Sequence, residues 1–208
     1  MRDTRSGVAI YGAGGFGREV AFLLEGLPRP VLGFVDDADP SAFWSLDTLR
    51  DRYGACAVAL GVGDSALRAA MAERIARTGH RLCTLVDASA RVGRTVSLGA
   101  GAIVCAGATL TVDIAIGCGA QVNLHCTIGH DCTLEEFATL SPGVHVSGHV
   151  HIGPHAYLGT GAVVLPGVTI GAHAKVGAGA VVRRDVPSGV TVVGVPAEIV
   201  RRRVRRTA

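Results

Sequence analysis

The sequence predicts a small α/β half-domain followed by a parallel β-helix of triangular section. Two observations carry that prediction. From Val92 through Leu98 and Val104 to Val182, an aliphatic residue occupies every sixth position, sixteen times without a slip. Ahead of that run, short apolar strands alternate with amphipathic segments around the glycine loop Gly12-Ala-Gly-Gly-Phe-Gly17.

A helix cannot keep a period of six on one face, because six steps of 100° smear the aliphatic positions around the cylinder. A flat sheet leaves unexplained why glycine fills the second position of half the blocks, as at Gly93, Gly99, Gly117 and Gly129. A chain that turns a corner every six residues accommodates both patterns. The aliphatic residue points inward. The fifth position, small or β-branched throughout (Ala102, Ala108, Cys126, Cys132, Ala138), fills the narrowing interior. The second-position glycine is expected to supply the backbone angle of the corner. Three sides make an eighteen-residue coil, so residues eighteen apart stack. Sixteen blocks give about five coils, rising ~25 Å at the spacing of paired strands.

The half-domain, residues 1–87, reads in order. Val8–Tyr11 is a buried strand running into the glycine loop. Arg18–Glu25 is a helix with Val20, Leu23 and Leu24 on one face, followed by Leu27. Strand, glycine loop and helix together offer free backbone N–H groups and a helix N-terminus to a phosphate. Val31–Val35 is a second strand ending at Asp36 and Asp37, carboxylates able to accept from a ribose or base edge. Cys56–Leu60 is a third strand. A helix follows over Ser65–Arg77, capped by Asp64 or Ser65. Cys83–Val86 is the last strand before the coils begin. This domain lacks the second mononucleotide-binding half of a dinucleotide fold, so one nucleoside diphosphate suits it better than NAD. The β-helix spans 88–188. Residues 189–208 form an extension with the loop Gly194-Val-Pro-Ala197 and a short basic helix containing Arg201, Arg202, Arg203, Arg205 and Arg206.

Composition narrows the function. The net charge of +3 is mild, and aromatics make up 4% of residues, so the basic tail lacks the stacking partners of a nucleic-acid binder. No run of eighteen apolar residues exists, so no membrane span is expected. The charged start, Met1–Ser6, does not read as a secretory signal. The six cysteines form no CxxC pair, and a reducing cytoplasmic setting is expected.

Seven of the eight histidines fall in the coils. His130 is followed by Asp131 at a corner. A carboxylate beside an imidazole fixes its tautomer and stabilises the imidazolium, as a general base requires. By the eighteen-residue rule His149 stacks on Asp131, and His173 on His155. His125 lies on the preceding block, in a substrate-contacting or a structural role. His125 and His130 also invite a zinc reading of the γ-class carbonic anhydrase kind. The third ligand would stand two coils upstream, where Ser89 occurs, so no metal is expected.

The order of parts resembles the bacterial sugar acyltransferases of the NeuD/PglD group: glycine-loop domain, uninterrupted hexapeptide prism with Asn123-x6-His130-Asp131, then Gly194-Val-Pro-Ala197. The resemblance covers essentially the whole chain. It implies a left-handed β-helix, packing as a homotrimer, and an acetyl-CoA site in the groove between neighbouring prisms. It implies a nucleotide-linked sugar held by the front domain, and N- or O-acylation of that sugar in bacterial surface glycan biosynthesis. It places the base at His130, supported by Asp131, with Asn123 near the reacting centre. Coenzyme A contacts fall on Thr139, Gly148, Thr160 and Ala178, and nucleotide contacts on Gly14, Gly15, Phe16, Asp36, Asp37, Gly63 and Arg68. Phe16 stands where many relatives carry histidine in the glycine loop, and Thr139 where some carry one near the thioester. The remaining alternatives are a zinc enzyme on the same prism and an acyltransferase for a non-sugar small amine.

Overall fold

The computed structural model describes residues 7–38 and 43–200. The basic tail expected to be helical and the charged first residues lie outside them.

The front domain is a parallel four-stranded sheet. Its strands are β1 (Val8–Tyr11), β2 (Val31–Val35), β3 (Ala57–Leu60) and β4 (Arg81–Leu82), in the order β2-β1-β3-β4. Helices α1 (Gly15–Glu25), α2 (Leu46–Tyr53) and α3 (Ser65–Arg77) complete it. Side chains alternate across β1 as strand geometry requires. Val8 and Ile10 pack with Val20, Leu23 and Leu24 of α1, and Ala9 and Tyr11 with Leu46, Leu49, Met71 and Ile75 of α2 and α3. Gly12, Gly17 and Gly61 let α1 approach the sheet: a Cβ at Gly17 would lie 1.9 Å from the Gly12 carbonyl oxygen.

The prism follows without a linker, and the strand expected over Cys83–Val86 is not one strand. Arg81–Leu82 closes the front sheet, and Leu85–Val86 already belongs to the prism, because it pairs with Ile103–Val104 one coil on. Its first face begins at Leu85–Val86 and continues through Ile103–Val104, Gln121–Val122, Thr139–Leu140, Tyr157–Leu158 and Lys175–Val176 to Thr191–Val193. The second face starts at Arg91–Val92 and includes Thr127–Ile128 and His145–Val146. The third starts at Ser97–Leu98 and includes Thr133–Leu134 and His151–Ile152. Register is the eighteen-residue rule, as in Gln121 against Thr139 and Thr127 against His145. First and fifth positions form one continuous interior of Val, Ile, Leu, Ala and Cys. At the far end Glu198–Ile199 folds back antiparallel on Thr191–Val193, with Gly194 to Ala197 as the turn.

The second-position glycines do a different task from the one expected. Their φ values are not in the left-handed region. They let successive coils touch: a Cβ at Gly117 would meet the Glu136 nitrogen at 2.5 Å, and one at Gly93 the Thr111 carbonyl oxygen at 1.7 Å. The left-handed corner is the fourth position. It holds Gly101, Gly107, Gly119, Gly143, Gly161, Gly167 and Gly179, and also Asp113, His125, Asp131, Phe137, His149, His155 and His173, all with positive φ. Asp and His are the non-glycine residues that tolerate this conformation best after Asn. Four of the coil histidines therefore stand where the corner backbone admits few other side chains.

The two parts are joined by burial and by hydrogen bonds, one from Gln121 Nε2 to the Val62 carbonyl (2.9 Å) and several from one arginine. Ile103 and Cys105, on the outside of the first face, complete the core beneath β1 and α1. Arg68 of α3 is fully buried. It donates to the carbonyls of Gly119 (2.8 Å), Gly63 (2.8 Å), Val62 (3.3 Å) and Phe137 (2.6 Å) and to Thr139 Oγ1 (2.9 Å). Burial pushes its pKa down to about 10.

Candidate active site

His130 and Asp131 sit on the edge between the second and third faces. His130 Nδ1 lies 2.7 Å from Asp131 Oδ2. A carboxylate only accepts, so Nδ1 carries the proton and Nε2 keeps the free lone pair. The ring rests over Gly148, one coil on, where a Cβ would meet Nε2 and Cε1 at 2.6 Å. His149 stacks edge-on against His130 at 4.8 Å, and its Nδ1 is 3.7 Å from the same Asp131 oxygen. About half of each side chain of the His130–Asp131 couple faces solvent. The couple is therefore an imidazole on an open edge, its tautomer set and its Nε2 lone pair free to accept a proton.

On the opposite side of the prism is a cleft of about 530 Å³ between the first face and the start of α3. Its lining includes Gly63, Asp64 and Ser65 from the front domain and Asn123, Thr139 and Lys175 from the prism. Asn123 is buried and donates to the Leu140 carbonyl at 2.8 Å. The Asp64 carboxylate caps α3 by accepting from the Leu67 N–H at 2.8 Å. Lys175 is the cation among the lining residues. His155 also faces it, stacked between Phe137 (5.4 Å) and His173 (4.8 Å). Burial, and then His173, hold its imidazole below the ordinary histidine pKa.

The glycine loop is open. Gly14 is the N-cap of α1 with no side-chain cap, and nothing lies within 4 Å of a Cβ built at Gly14, Gly15 or Gly63. Asp36 borders the loop, accepting from the Ala13 N–H at 2.8 Å. Asp37 accepts from the Tyr11 hydroxyl and pairs with Arg74. Burial, then that contact with Asp37, push the Tyr11 pKa up. Phe16 packs partly into the front core.

The expected site residues thus divide. Gly14, Gly15, Phe16, Asp36 and Asp37 gather at the loop, and Gly63 lies at the cleft. Arg68, expected at the nucleotide, is buried in the domain junction with every guanidinium nitrogen engaged. Thr139, expected beside coenzyme A, is buried too and accepts from Arg68, though it lines the cleft. Gly148 stands at the His130 edge. Thr160 and Ala178 are stacked and exposed on the edge between the first and second faces, the edge that also carries His125. Sequence reasoning passed over Ser141, Tyr157 and Lys175. The eighteen-residue rule applied to Asn123 and Thr139 points to all three.

Comparison with known proteins bears on the family and the fold. Residues 7–75 match the PglD N-terminal domain, and 149–184 match the bacterial transferase hexapeptide model. A perosamine N-acetyltransferase from Caulobacter crescentus, solved with CoA and GDP-perosamine, is 36% identical over 93% of this chain and 96% of its own, with a TM-score of 0.88. The chain belongs to the NeuD/PglD family of sugar acetyltransferases. The acetyltransferase domain of PglB from Neisseria gonorrhoeae is another relative, at 32% identity over 94% of this chain and all of its own, with a TM-score of 0.85. It has also been solved with acetyl coenzyme A. WeeI from Acinetobacter baumannii is 32% identical over 93% of this chain and 99% of its own, with a TM-score of 0.85. No curated protein sequence matches. Like these relatives of the NeuD/PglD family, the chain is an acetyltransferase, and its prism is a left-handed β-helix. Among the described residues no helix is long and apolar enough to cross a membrane.

Proposed function

We propose that the chain transfers an acetyl group from acetyl-CoA to an amine or hydroxyl of a nucleotide-linked sugar, as a cytoplasmic homotrimer serving surface glycan synthesis. The observation that carries this reading is the placement of base and cleft. In a triangular prism the edge between the second and third faces is the one opposite the first face. His130 and the cleft are therefore on opposite sides of one chain. They meet when the His130 edge of one copy faces the cleft side of the next, as a closed ring of three allows.

In that arrangement the front domain holds the nucleotide at its open glycine loop. Asn123 and Ser141 stand near the sugar, and Lys175 offers a counter-charge to phosphate. The exposed small residues Thr160 and Ala178 leave a smooth edge against which a pantetheine arm fits. His130 of the neighbouring copy takes the proton from the attacking nitrogen or oxygen at Nε2 while the new bond to the acetyl carbon forms. The carbon–sulfur bond breaks, and His130 returns the proton to the departing thiolate. Asp131 stabilises the imidazolium between those steps. Backbone N–H groups near Gly148 are candidates for the developing oxyanion.

The experiment is an acetyl-transfer assay, with release of free coenzyme A thiol as the readout and GDP-perosamine as the first acceptor. Other nucleotide-linked amino sugars and their hydroxyl counterparts follow. Acetylation of at least one nucleotide-linked sugar is expected. Acetylation of free small amines alone would replace this reading with the non-sugar alternative.

A further inference from the structure

We propose that His130, Asp131 and His149 form a binding site for a borderline transition-metal ion such as Zn²⁺ or Ni²⁺, and that its occupation switches the enzyme off. Two imidazole nitrogens converge on one carboxylate oxygen. His130 Nδ1 is 2.7 Å and His149 Nδ1 is 3.7 Å from Asp131 Oδ2, and the three residues' ligand atoms all lie within 4.8 Å of one another. Zinc binds such donors at about 2.0–2.2 Å, which puts neighbouring donors of a tetrahedral ion roughly 3.3–3.5 Å apart. Small side-chain rotations bring the three to that spacing, with water completing the shell. Two nitrogens and one oxygen favour zinc or nickel over magnesium or calcium, which take oxygen.

The backbone makes the cluster rigid. Asp131 and His149 occupy the same left-handed corner of successive coils, at φ 57 and 58. The His149 N–H donates to the His130 carbonyl at 2.9 Å, and the Asp131 N–H to the Val112 carbonyl at 3.2 Å. All three side chains remain open to solvent, His149 the most.

Inhibition follows from the tautomer and rests on the base role proposed above; binding does not. A neutral imidazole that gives its Nδ1 lone pair to a metal keeps its single proton on Nε2. The proton that His130 Nδ1 shares with Asp131 moves to Nε2, and the ion takes its place. His130 then has no lone pair at Nε2 for the substrate's proton. No redox change and no bond to substrate are involved.

Titration calorimetry of the untagged full chain with ZnCl₂, beside the acetyl-transfer assay, tests the proposal. One zinc per chain is expected, with inhibition over the same concentration range and recovery on adding a chelator. His149→Asn keeps a residue suited to the left-handed corner. It should turn over normally without zinc, and both its zinc affinity and its sensitivity to inhibition should fall by more than about tenfold. His151→Ala, whose histidine contacts Glu135 instead, should bind zinc like the unaltered chain. No saturable binding, or binding unchanged in His149→Asn, would overturn the site. Zinc bound at full occupancy with turnover unchanged would overturn the inhibition and count against His130 as the base.

Discussion

The imidazole of His130 lies against the Cα of Gly148, and this contact decides whether the couple with Asp131 can form. Gly148 has no positive φ, so alanine suits its backbone; the added methyl would have to displace the ring it meets at 2.6 Å. Gly148→Ala should fold with an unchanged melting temperature and lose about 10²-fold in kcat, the scale of an ångström's misplacement. His130→Ala should lose roughly 10²–10⁴-fold with the oligomer intact. Retention of most activity in either variant would remove that residue from the scheme. At this scale the sequence was informative wherever spacing alone sets a contact. The neighbours His130 and Asp131, and the stacking of His149 and His173, follow from counting. Arg68 did not follow, because its partners are carbonyls of Gly119 and Phe137, and no side-chain pattern marks a carbonyl as an acceptor.

The coil corner separates two uses of glycine that the sequence presents alike. A Cβ at Gly117 collides with the backbone of the next coil, at Glu136 and Glu135. A Cβ at Gly143, where φ is +69, meets nothing closer than 4.0 Å. Gly117→Ala should therefore cost about 3 kcal/mol or more, the upper end of overpacking, because the atoms it meets are backbone. Gly143→Ala should cost only the left-handed conformation, about 1–2 kcal/mol. Urea midpoints of the two variants compare them directly, and equal losses would mean that coil contact is not the constraint. The repeat made the prism and its inward residues readable, since every inward position recurs at a fixed interval. It did not reveal which of the other positions takes the left-handed angle, because histidine, aspartate and glycine all occupy it. Helix α2 was missed for a related reason. Only Leu46 and Leu49 are buried in an otherwise polar segment, and its clearest signal is Ser45, whose hydroxyl accepts from the Thr48 N–H at 3.0 Å.

Across the whole molecule, folding buries five thiols, and the two whose pKa rises most are Cys126 and Cys105. Burial pushes Cys126, inside the prism, up to about 11, and Cys105, under the front domain, up to about 12. Unfolded thiols ionise near pH ~8.5. Below that value both states keep their protons and the thiols have no effect. Above it the unfolded chain loses protons first, so stability falls until the buried thiols ionise as well. Each thiol contributes a slope of about 1.4 kcal/mol per pH unit. Cys126→Ala, the residue type most common at the fifth position, should flatten the fall in unfolding free energy, read from urea titrations, between pH 9 and 10.5 by about that slope. An unchanged slope would mean that Cys126 is not sealed. The same scale holds the account's central claim, that base and cleft come from different copies of the chain. The most direct measurement mixes two inactive variants, His130→Ala and Asn123→Leu, by co-refolding or co-expression. Subunits that complete one another's sites should regain about a quarter of the unaltered activity at equal mixing, since each intact site needs one chain of each kind in the right order. No recovery in mixed oligomers would contradict the account and return both halves of the site to a single chain.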